Sequence, residues 1–179
     1  MIMALTDWII ISSTAKIITA LTGEIFSSIK QINIKSANYF MKKIIVPGLA
    51  AGVVMLTSSV LLMIAFTILL PGLEAEYMGN IMFRPWSDPL MYYVYLNPII
   101  LGFLFAFVWQ KVQGSFNDKS KIKSGAKFGL SIFLIFGITG MLMSLSTFNI
   151  SALMVLTWTI SGLIQDILGG IVIVHLYKN

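Results

Sequence analysis

The chain has 179 residues, of which 58% are hydrophobic and 11% charged. An ordinary soluble domain is about 25% charged, so this composition cannot tile a water-facing surface, and its solvent is largely lipid. There is no cysteine, which excludes disulfides, zinc–thiolate sites, iron–sulfur clusters and thiol catalysis within the chain. The formal net charge of +5 is carried almost wholly by lysines that flank apolar runs, a topological pattern and not a nucleic-acid footprint.

Residues 1–40 differ from the rest. Ile11, Ile18, Ile25 and Ile32 recur at heptad spacing, while Lys16, Glu24 and Lys30 interrupt any continuous apolar span. The segment reads as an amphipathic helix lying on the inner membrane surface, with Trp8 and Phe26 as anchors. A competing reading starts the native chain at Met41, where Met41-Lys42-Lys43 precedes the first long apolar run, and a third makes Trp8–Ile29 an irregular fifth span.

Residues 41–179 carry four apolar stretches, near 47–70, 90–109, 128–147 and 152–174. Each approaches or exceeds the roughly 20 residues that cross a bilayer at about 1.5 Å rise per residue. The first is too long to be the apolar region of a cleavable signal. Pro47 suits a first helical turn, Pro71-Gly72 ends that helix, and Asp88-Pro89 reads as an N-cap followed by proline at the first position of the second helix. Lys42, Lys43, Lys111, the lysines of residues 119–127 and Lys178 fall on one side of the membrane, and Arg84 alone on the other. The positive-inside rule therefore makes both termini cytoplasmic and turns residues 71–89 outward. The expected fold is all-α, a four-transmembrane-helix bundle of a cell inner or plasma membrane. Its expected partners are the lipid bilayer and either another membrane protein or further copies of itself.

Small residues predict how the helices meet, because in lipid close backbone approach replaces hydrophobic drive. Gly48 and Gly52 lie in the first stretch, Gly102 and Ala106 in the second, Gly125 and Gly129 at the head of the third, with Gly140 and Ser144 further along. In the fourth, Gly162, Asp166 and Gly170 are four apart and share one stripe. Packing within the chain is favoured over homodimerisation.

Asp166 is the acidic residue inside an apolar core, where an ionised carboxylate costs about 2.5 kcal/mol or more. It lies roughly 15 Å from the nearer helix end, and no Lys or Arg occurs in any of the four cores. Three resolutions follow: an uncharged carboxyl hydrogen-bonded to a neighbouring helix, a carboxylate facing a wet cavity, or one holding a cation. The first makes Asp166 structural glue, the others a coupling site. Gln165 is adjacent but points about 100° away, and Asn97, Thr139 and Ser58 or Ser59 lie at comparable depth. Asn97-Pro98 predicts a kink, or else a discontinuous helix offering polar backbone to a substrate.

The outward loop concentrates charge and aromatic rings in Glu74, Glu76, Tyr77, Phe83, Arg84, Trp86 and Asp88. It reads as an aromatic interfacial belt with Arg84 paired to a nearby acid, ahead of a lid or ligand-binding element. Glu74, Glu76 and Asp88 have the chemistry to hold a hard cation, but nothing in the sequence fixes their geometry. His175 is the sole histidine, and no phosphate-cradling loop or dinucleotide fingerprint occurs, so neither an enzyme nor a cofactor is expected. The leading functional expectation is a structural, accessory or regulatory membrane protein. The alternative is a small transporter or channel subunit that uses Asp166 for proton or cation coupling and, since four spans enclose little, works as an oligomer.

Overall fold

The computed structural model describes residues 40–116 and 118–177. The amphipathic segment expected before Phe40, the start-site question attached to it, and Lys178 lie outside the described residues. Every regular element among the described residues is helical. Four stretches, Met41–Leu69, Pro89–Ser115, Lys121–Thr147 and Ala152–Leu176, are long and apolar enough to cross a membrane. The all-α, four-span architecture expected from the sequence is therefore the observed one. We number the helices α1 (Val46–Leu69), α2 (Pro71–Gly79), α3 (Tyr92–Val112), α4 (Lys121–Ile132), α5 (Ile138–Thr147) and α6 (Ala152–Leu176).

Two span starts differ from expectation, each for a local reason. The first span does not begin at Pro47 but extends back through a π-helical turn, Met41–Ile45. Proline lacks the N–H that would bond the carbonyl four residues earlier, and its ring crowds that carbonyl; the wider π-turn accommodates both. The third span begins at Lys121 rather than near Phe128. Its first turns carry lysines that the sequence places in a loop, but Lys121, Lys123 and Lys127 are exposed while Ser124 and Gly125 are buried, so one helical face meets water and the other the protein. A second π-turn, Phe133–Gly137, joins α4 to α5.

The other helix ends follow from sequence. Leu70 leaves the helical region (φ −135°, ψ 67°) because Pro71 follows it, so α1 stops at Leu69 and α2 starts on the proline. The Asp88 carboxylate accepts the Leu90 N–H at 2.8 Å, capping a short 3₁₀ turn, Pro89–Met91, that leads into α3. Helix α3 runs unbroken through Pro98, so the discontinuous-helix reading of Asn97-Pro98 is not what forms.

Seen across the bundle, the spans run in the order second, first, fourth, third. Glycine sets each neighbouring contact. A Cβ on Gly52 would sit 2.7 Å from the Ile99 Cα, and one on Gly102 would collide with the Gly48 carbonyl. In the other hairpin a Cβ on Gly125 would lie 2.5 Å from the Ile171 Cα, and one on Gly129 would strike the Asp166 carbonyl. Both hairpins thus cross at glycines near their lysine-rich ends. Between the hairpins, the Met55 side chain lies across Gly169. Beside these crossings, Phe128 packs edge-on against Phe105 (5.5 Å between ring centroids) and Trp109 (5.2 Å), with Phe116 at 5.9 Å. This end of the molecule holds the buried core.

Candidate functional site: a cavity under the α2 cap

Away from the glycine crossings the spans part. The space between them is a cavity of about 540 Å³, within the range of small-molecule sites. All four spans contribute to its wall, among them Ser59, Asn97, Met141 and Gln165, and Leu73, Glu74, Tyr77 and Trp86 contribute from α2 and the loop after it.

That loop is folded, not slack. Tyr77 stacks on Phe83 (4.5 Å) and on Trp86 (5.4 Å), and Phe83 meets Trp158 of α6 edge-on at 6.0 Å. The Tyr77 hydroxyl donates to the Arg84 carbonyl at 3.0 Å, and partial burial pushes its phenol above the usual range. Arg84 pairs with Asp88 at 2.7 Å. The Leu90 N–H and then the Arg84 guanidinium hold the Asp88 carboxyl below the ordinary carboxylate range.

The cap is also fastened to the opposite hairpin. Asn80 donates from Nδ2 to the Asn149 carbonyl at 2.9 Å, and Glu76 accepts the Ser151 N–H at 2.6 Å. Ser151 is the N-cap of α6, its hydroxyl accepting the Met154 N–H at 3.1 Å. In a capping box the N-cap N–H is bonded by an acidic side chain three residues on. Here that position is Met154, and Glu76 supplies the acid from a different part of the chain.

The polar residues singled out in the sequence are divided by this geometry. Asn97 and Gln165 border the cavity; Asp166 does not. Asp166 is buried, 9% exposed, on the stripe that faces the third span, where Gly162 lies near Phe133 and Gly170 against Gly125 and Gly129. No hydrogen bond or ion pair joins its side chain to another described residue, and Ser58, one of the expected partners, donates instead to the Met55 carbonyl at 2.9 Å. The three loop acids do not converge as cation ligands. Asp88 is tied to Arg84 and Glu76 to Ser151, and no group of three His, Cys, Asp or Glu gathers among the described residues. Sequence reasoning missed the cavity contributions of Trp158 and Ser161, which no local motif marks; it named Glu74 in the loop, whose aromatic and acidic density was the available signal, but not its place at the cavity.

Fold and cavity together define a small multi-pass membrane protein. No protein-family model, no curated protein and no solved structure matches the chain.

Proposed function

We propose that this protein holds a small molecule between its two hairpins and serves an accessory or regulatory role in a cell inner or plasma membrane, its lysine-rich end cytoplasmic and its α2 cap external. The observation that carries this reading is the cavity of about 540 Å³ bordered by all four spans and the cap, next to an end packed by glycine crossings and aromatic rings. A receptacle with one packed end suits binding better than conduction by a single chain.

Access is tested by cysteine chemistry, which the Cys-free sequence makes clean. Ser161→Cys, at the cavity wall, is expected to react with a membrane-impermeant maleimide added on the cap side of sealed vesicles. Failure to react from that side would remove the receptacle reading.

The placement of Asp166 away from the cavity and against the third span supports a packing role for it, against proton or cation coupling. In proteoliposomes under a pH gradient, wild type and Asp166→Asn are expected to show the same negligible proton flux, and the variant to remain monodisperse. A wild-type flux abolished by Asp166→Asn would instead establish coupling.

A further inference from the structure

We propose, building on the receptacle reading, that the ligand is a small organic cation, held with its charge beside Glu74 and the ring of Trp86. The cap carries three acids, and two are already engaged, Glu76 with the Ser151 N–H and Asp88 with Arg84 and the Leu90 N–H. Glu74 has no hydrogen bond or ion pair to another described residue, and it is the acid that borders the cavity. Among the described residues of the wall there is no lysine or arginine, so an anion would find no counter-charge, whereas a cation would find a carboxylate.

The ring faces point to the same charge. Tyr77 is covered on its two faces by Phe83 at 4.5 Å and Trp86 at 5.4 Å, so it supports Trp86 from behind, and the indoles of Trp86 and Trp158 are the ring systems on the cavity wall that remain for a cation. Aromatic faces attract cations through the ring quadrupole, tryptophan most strongly. An inorganic cation would need several oxygen ligands converging at short range, which one carboxylate does not provide. An organic cation needs a diffuse cradle of rings with one counter-charge, and its apolar body matches the methionine and phenylalanine side chains of Met63, Phe66 and Met154 along the wall. At the cavity floor the Asn97 and Gln165 amides, neither hydrogen-bonded to another described residue, are available to a polar group on the ligand.

The test uses two ions of the same shape and opposite charge, tetraphenylphosphonium and tetraphenylborate, on the full chain in lipid nanodiscs. The readout is protection of Ser161→Cys from maleimide labelling. Tetraphenylphosphonium is expected to protect saturably, and tetraphenylborate to protect poorly. Glu74→Gln, nearly isosteric on an exposed helix face, is expected to weaken phosphonium protection about two- to fivefold, the worth of a nearby carboxylate after solvent screening. Trp86→Leu is expected to weaken it about fivefold. Equal protection by the two ions, unchanged protection in Glu74→Gln, or a reactive cysteine that phosphonium never protects would each overturn the cation assignment while leaving the receptacle in place. A cysteine that does not react at all removes the receptacle and the assignment with it.

Discussion

Gly129→Ala is expected to disrupt the α4–α6 crossing and lower thermal stability in detergent by about 1–3 kcal/mol, the cost of forcing atoms into a packed contact. The added methyl would meet the Asp166 carbonyl and, at 2.8 Å, the Ile167 Cα, and backbone cannot swing aside as a side chain can. Gly102→Ala meets backbone too, the Gly48 carbonyl and the Gly52 nitrogen at 2.5 Å, and belongs in the same class. Gly169→Ala should cost less, because the new methyl meets the flexible thioether end of Met55. Gly140→Ala, with nothing within 4 Å, is expected to be neutral or to gain up to about 1 kcal/mol in helix propensity. Melting curves of the four variants decide the matter: if Gly140→Ala is as harmful as Gly129→Ala, close backbone approach is not what holds these helices.

Glu76→Ala combined with Asn80→Ala is expected to release the cap. The first substitution strands the Ser151 N–H at the head of α6, and a hydrogen bond to a charged acceptor is worth about 1.5–3 kcal/mol; the second removes the bond to the Asn149 carbonyl. What remains between cap and opposite hairpin includes the edge contact of Phe83 with Trp158, worth about 0.5–1.5 kcal/mol beyond its buried area. Maleimide labelling of Ser161→Cys should then accelerate several-fold, with the bundle itself still folded because the glycine crossings lie at the other end. An unchanged labelling rate would mean that these two bonds do not control entry.

The spans and most of their ends are legible in the sequence because proline and glycine mark backbone chemistry that any environment must respect. Pro71 forces Leu70 out of the helical region, and Asp88-Pro89 caps the turn into α3, as local spacing alone predicts. The helix order and the buried faces are harder to read. In water an apolar stripe reports the core, but in lipid the outer surface is as apolar as the inner one, and side chains such as Leu61, Ile68 and Phe136 are exposed by right. Glycine spacing fills part of that gap, which is why the positions Gly48, Gly52, Gly125, Gly129 and Gly170 point to contact surfaces while the neighbouring leucines and isoleucines do not.

The site was less legible than the fold. Asp166 draws attention because a charge in lipid is costly, whereas the cavity is bordered by its neighbour Gln165, turned about 100° around the same helix. The trans cap on α6 is invisible locally, since Glu76 and Ser151 are separated by 75 positions. Met154 at the usual acid position even argues against a capping box there. Helix α2 is short and has little amphipathic pattern of its own, and its place over the cavity depends on partners that only the folded chain brings near.

The position of the glycine crossings has a mechanical consequence. From Gly129 to Thr147 the third span continues for about 27 Å at helical rise, so the crossing acts as a fulcrum and the remainder as a lever arm. A change of about 4° in crossing angle shifts the far tip by about 2 Å, more than the radius of a water molecule. The bore of the cavity is therefore expected to respond remotely: a methyl group added at the fulcrum, which meets Asp166 and Ile167 and no residue that borders the cavity, should change its width.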